Sequence, residues 1–233
     1  MNPTVKYKGT YTDSLGPAEV TIENDFKTLH VDIDGVRFSG SEFSDLAIVD
    51  KANHPQKQLE RFSFYPIPVY NTDTIQETLC NCSFEFSINQ VLIDRRKNTD
   101  IDARLSVNYS LGKARPQPQS GIESEKVQLT LFINEWQFSG EGDFFEVAFD
   151  QIKAQLTDRY SFKNCYGCLY GDYSYIGQSS FGTMQCYVNQ KEAYLKVNSK
   201  DDYMDLPADY RQVQEIYCCD KFEIRKPGTG YRG

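Results

Sequence analysis

The sequence predicts an α+β protein, in which an antiparallel sheet region ends in one amphipathic helix and a small zinc-stabilised C-terminal subdomain follows. Three observations predict it: period-two apolar alternation over most of residues 1–140, a change to helical period after Gly142, and a Cys/Tyr/Gly-rich composition from about Ser161. The expected division is therefore an acidic β-rich region over 1–160 and a zinc-binding subdomain over 161–233. At 233 residues with 39% hydrophobic and 25% charged residues, the chain is long enough and ordinary enough to bury a core.

The strand signals come first along the chain. Leu29, Val31 and Ile33 alternate with polar residues, as do Phe84, Phe86, Ile88 and then Leu105, Val107, Tyr109, Leu111. Asp34-Gly35 between Ile33 and Val36 predicts a two-residue hairpin, because both positions of that turn need a left-handed backbone. The pattern returns one hundred residues later: 29–40 and 129–140 share Leu, Ile, Phe, Ser and Gly, five of twelve positions, which predicts a possible duplicated hairpin. Lys113 to Gly121 reads as a Pro/Gln loop. Beyond it, Phe145, Ala148, Phe149, Ile152 and Leu156 fall on one stripe of a helix, with Asp143, Glu146 and Asp150 opposite.

Charge narrows the partners. The net charge is −8, and residues 161–233 are neutral, so the whole excess sits on residues 1–160. Duplex nucleic acid is disfavoured, since its affinity rests on cations neutralising phosphates; a cationic partner is attracted. The plainer reading of the same acidity is solubility. No apolar run approaches the roughly 20 residues of a membrane span, and the opening MNPTVKYKGTYTD lacks the apolar stretch of a secretory signal. A cytoplasmic protein is expected.

Seven cysteines without a signal peptide point to thiols or metal. Cys80 and Cys82 share a strand face with Phe84, so they read as small buried hydrophobes. Cys165-Tyr-Gly-Cys168 has the spacing of a zinc knuckle, Cys186 follows after 17 residues, and Cys218-Cys219 offers a fourth thiolate with one to spare. Structural zinc on Cys165, Cys168, Cys186 and Cys219 is the expectation; unligated thiols and a redox pair are the alternatives.

The stretches FKNCYGCLYGDYS, GTMQCYVNQKEAYLKV and YCCDKFEIRKPGTGYRG resemble an uncharacterised bacterial family with a Cys-rich C-terminal region, over about residues 160–233. The resemblance implies that Cys219 is the retained cysteine of the pair. It also implies an association with toxin and competition loci, and it brings no assigned activity.

Tyr170, Tyr173 and Tyr175 are interleaved with Gly and Ser as in adaptable binding loops, although rings packed on a local core would look the same. With Glu146 and Asp150 they are the expected partner-binding residues, and the expected function is a non-enzymatic, immunity-type inhibitor docking on a cationic toxin. A hydrolase with an active site assembled from carboxylates and the Cys-rich region, and an adaptor in a bacterial assembly, are the alternatives. Catalytic signals are poor. The two histidines, His30 and His54, lie beside no nucleophile motif, and neither phosphate-binding glycine motif occurs. The one departure from acidity is the tail, where Gly228-Thr-Gly230 near Arg225, Lys226 and Arg232 offers either an anion cradle or a plain terminal turn.

Overall fold

The computed structural model describes residues 4–69, 72–116, 118–177 and 180–231; Arg232 lies outside them. The chain opens with β1 (Val5–Asp13), β2 (Gly16–Asn24), β3 (Leu29–Ile33), β4 (Val36–Gly40) and β5 (Ala47–Ile48), then a single helical turn α1 (Gln56–Leu59). There follow β6 (Ser63–Pro68), β7 (Ile75–Cys80), β8 (Cys82–Asp94), β9 (Thr99–Leu111), β10 (Glu125–Ile133) and β11 (Trp136–Gly142). The helix α2 (Phe145–Leu156) leads into β12 (Tyr160–Phe162), β13 (Gly171–Asp172) and β14 (Met184–Cys186). The chain finishes with α3 (Lys191–Tyr194), α4 (Lys200–Met204) and β15 (Arg211–Val213).

Twelve strands form one antiparallel sheet in the order β11-β10-β9-β8-β1-β2-β3-β4-β5-β7-β6, with β12 added to β8. Only Asn81 separates β7 from β8, and its left-handed backbone (φ 53°) bends one continuous run of chain. Because β7 pairs with β5 and β8 pairs with β1, the ladder of hydrogen bonds returns on itself through that bend. The remaining strands, β9 to β11, extend from the far side of β8 and carry α2.

Alternation maps directly onto burial. In β8 the residues from Cys82 to Asp94 are buried at every second position, and β9 and β10 continue the same face through Leu105, Val107, Tyr109 and Leu129, Leu131, Ile133. The five apolar residues of the helical stripe are the five that α2 buries. Phe43, from the loop after β4, joins the two halves of the core: its ring lies 4.9 Å from Tyr109, 5.3 Å from Phe86 and 5.8 Å from Phe181.

The two similar hairpins have the same register, Leu29 opposite Gly40 and Leu129 opposite Gly140. Their shared glycines serve the same purpose. A Cβ on Gly40 would meet Asp45, and one on Gly140 would lie 2.1 Å from the Ala148 carbonyl oxygen, so each hairpin lets the following segment pack directly on its backbone. They differ in setting: Val36 is fully buried, whereas its counterpart Trp136 is 61% exposed at the sheet's edge.

That edge is not left open. Gln155 accepts from Ser139 N (3.3 Å) and donates to Ser139 O (2.5 Å), while Gln151 does the same with Glu141 (3.0 and 2.8 Å). Two side-chain amides from α2 thus make the paired bonds that a neighbouring strand would make. The opposite edge, β6, carries Pro66 and Pro68.

The C-terminal third corrects the expectation of a zinc-stabilised subdomain. β12 straddles residue 160 and pairs with β8, and one set of buried side chains runs from Tyr11 to Ile216. The 161–231 stretch is held by aromatic packing and by buried tyrosine hydrogen bonds: Tyr194 Oη donates to Asp172 (2.6 Å), Tyr173 Oη to Glu215 (2.7 Å) and Tyr203 Oη to the Tyr173 carbonyl (2.7 Å). Besides α2, the described helices are single turns. Among the described residues no helix is long and apolar enough to cross a membrane.

Candidate binding cleft

A cleft of about 610 Å³ opens between the second half of α2, β12 and the tail. Its position follows from three local choices of sequence. The first is the stop of α2 at Thr157, whose backbone (φ 55°, ψ −149°) is near a region usually reserved for glycine. A β-branched residue there stores strain at the cleft wall.

The second is the Cys165–Cys168 turn. Gly167 sits so close to β12 that a Cβ would lie 2.1 Å from the Phe162 carbonyl oxygen, and the turn swings Tyr166 back under α2. The Tyr166 ring stacks on Phe149 at 4.7 Å and meets Phe162 edge-on at 5.5 Å, and its hydroxyl donates to Asp150.

The third is the tail, which runs antiparallel to that turn. Leu169 N donates to Glu223 O (2.7 Å), Cys168 bridges Ile224, and Arg225 N donates to Gly167 O (3.1 Å). The Arg225 guanidinium is anchored by the Gly171 and Thr229 carbonyls and by the Tyr194 hydroxyl, while its Nε is buried without a hydrogen-bond partner.

Cations dominate the lining. Arg95, Lys153, Arg225 and Lys226 face Asp150 and Asp158 across a floor that includes Leu156, Phe162, Ile224 and Pro227. Arg95 is steadied by donating Nε–H to Ser161 Oγ (2.5 Å). The C-terminal carbonyls of α2 bring roughly half a negative charge to the same mouth, which leaves the sum positive. A volume in the range of about 300–1,000 Å³ with an apolar floor and a few convergent charges is what small organic ligands require.

The sequence-predicted site residues are placed as follows. Cys165, Cys168 and Cys186 are buried, Cys219 is half-buried and Cys218 exposed, all as free thiols. The zinc expectation is overturned: among the described residues no group of three or more His, Cys, Asp or Glu is arranged to hold a metal ion. The physical reason lies in their setting: Cys165, Cys168 and Cys186 are packed in the core with Tyr166, Leu169 and Met184 as small apolar side chains, while Cys218 and Cys219 sit toward the surface. Cys80 and Cys82 are buried, with burial raising the Cys82 thiol to about 12.

Tyr170 and Tyr173 are buried and Tyr175 packs partly buried against Tyr203. Tyr170 lies under the Lys191 ammonium at 4.4 Å, and that ammonium also pairs with Glu223 at 2.7 Å. Glu146 is half-buried on α2 and Asp150 is exposed at the cleft. Arg95 and Lys153 carry no signal in the sequence reading, which points to the site through Asp150, the basic tail and the stretch that begins at Phe162.

A model of a family described as "Family of unknown function (DUF6304)" matches residues 5–171, from the start of β1 to the first residue of β13. No curated protein and no solved structure matches the chain.

Proposed function

With the chain a member of the DUF6304 family, whose function is unknown, we propose from its geometry that it is a binding protein for a small organic anion with an apolar body. One observation carries the proposal: the basic tail and Arg95 line an apolar-floored cleft in an otherwise acidic chain. The apolar body rests on Phe162, Leu156 and Ile224, and the anionic group faces Lys226 and Arg95. Seven free thiols support a reducing, cytoplasmic setting.

Calorimetric titration with 1-naphthyl phosphate and with neutral 1-naphthol tests the reading. The phosphate binds at least about tenfold tighter, a difference of about 1.4 kcal/mol, and Lys226→Glu removes most of that preference. Equal binding of the two probes, or an unchanged preference in Lys226→Glu, overturns it.

The acidity of residues 1–160 favours a second reading, a docking face for a cationic protein such as a toxin, with Glu146 and Asp150 at its centre. Charge reversal of both to Lys abolishes salt-sensitive capture of a cationic partner under this reading. Partner binding with unchanged salt dependence excludes it.

A further inference from the structure

Away from the cleft, two carboxylic acids lie on either side of Ser44, near enough for one charge to act on the other, beside the place where the C-terminal third is seated on the sheet. Glu42 belongs to the loop between β4 and β5, and Glu125 begins β10. The loop is built around Asp45, whose carboxylate accepts from Ser41 N (3.1 Å), Ser41 Oγ (2.5 Å) and Glu42 N (2.9 Å). That wrap drives Phe43 into the core and turns Glu42 inward, where its Oε2 is buried without a hydrogen-bond partner. Tyr109 Oη donates to Glu125, Tyr65 Oη donates to the Ser44 carbonyl, and the Ser44 side chain interacts with both carboxyls.

The C-terminal third closes over this group. Phe181 packs on Phe43, Gly182 lies against the Ser41 carbonyl oxygen, and Gly182 N donates to Glu215 at 2.9 Å. The charged groups acting on the pair are themselves acidic: Asp45 and Glu215 on Glu42, and Asp143 on Glu125.

We propose that Glu42 and Glu125 form a proton-held latch between the sheet region and the C-terminal third, closed while both carboxyls carry protons and loosened when they ionise. Burial, reinforced by the Asp45 and Glu125 charges, pushes Glu42 up to about 8, and burial pushes Glu125 up to about 7. The sign follows from linkage. A carboxyl raised in the folded state stabilises it fully below its unfolded pKa, near 4.5, and that contribution is lost as pH rises through 7 to 8. Ionisation then sets Glu42 against Asp45, Glu125 and Glu215, the last of these in the C-terminal third.

Hydrogen exchange at pH 6 and pH 9, corrected for the intrinsic chemical rate, tests the latch on the full chain. Wild-type peptides covering 41–46 and 181–186 exchange at least about tenfold faster at pH 9, a loss of about 1.4 kcal/mol of local stability, and Glu42→Gln/Glu125→Gln levels the two rates. Equal rates in the wild type, or an undiminished rise in the double variant, overturn the proposal. Should the double variant not fold, carboxyl carbon shifts of the wild type decide: titration of both groups above pH 6 supports the latch, and titration near pH 4 removes it.

Discussion

The sheet region and the C-terminal third reach the same degree of burial by different chemistry. Up to residue 160 the core is made mostly of Leu, Ile, Val and Phe from regular strands and from α2, with a few tyrosines such as Tyr11 and Tyr109, and backbone polar groups are satisfied by long ladders. Beyond it the strands shrink to two or three residues, and much of the interior is tyrosine whose hydroxyls are tied to Asp172, Glu215 and Gln185. Apolar burial is non-directional and tolerates adjustment. A buried hydrogen-bond network is directional, and an unpaired member costs its full desolvation. The first region is therefore expected to be plastic and the second brittle.

The strongest challenge to that contrast is Phe43→Ala, since Phe43 touches both regions. Truncation in a filled core costs about 3–5 kcal/mol, so both regions should melt together, roughly 10 °C lower. A C-terminal third that melts alone would show the two to be separable. Asp172→Ala sharpens the contrast instead. It removes the acceptor of Tyr194 and should cost about 1–3 kcal/mol, with faster hydrogen exchange confined to 184–186 and 211–213; protection lost equally in β8 and β9 would refute a local network.

Thr157→Gly has the smallest expected effect and the opposite sign. Relief of its left-handed strain should stabilise the protein by about 1 kcal/mol, read as a higher urea midpoint at unchanged slope. A lower midpoint would show that the threonine side chain contributes more than its backbone costs.

The same contrast explains what could be read in advance. Leu29, Val31 and Ile33 declare a buried strand face because period two is the geometry of a strand, and the α2 stripe declares its helix likewise. The repeat of 29–40 at 129–140 carried its register with it. The cysteine spacing satisfied a motif, but spacing carries no information on where each side chain packs, and Cys165, Cys168 and Cys186 pack as small apolar residues of the core. The cleft was hidden for another reason. Arg95, Lys153 and Lys226 come from a turn, a helix and the tail, brought together by the pairing of β12 with β8 and of the tail with the Cys165–Cys168 turn. Glu42 looks like any polar loop residue beside a phenylalanine; its inward turn comes from the wrap of the loop around Asp45 and from Phe43, which packs on Phe181 far along the chain.

The two glutamines of α2 make that helix a counterfeit strand. One face of it imitates the hydrogen-bonding edge of a thirteenth neighbour for β11, and the adjoining turns supply Asp150 and Lys153 to the cleft. Whatever pries α2 outward therefore uncovers the amides and carbonyls of Ser139 and Glu141, with the Trp136 ring already exposed beside them. A bare edge of that kind recruits the matching edge of another molecule. The shape of the cleft wall and the cover over this edge are in this way tied to the seating of a single twelve-residue helix.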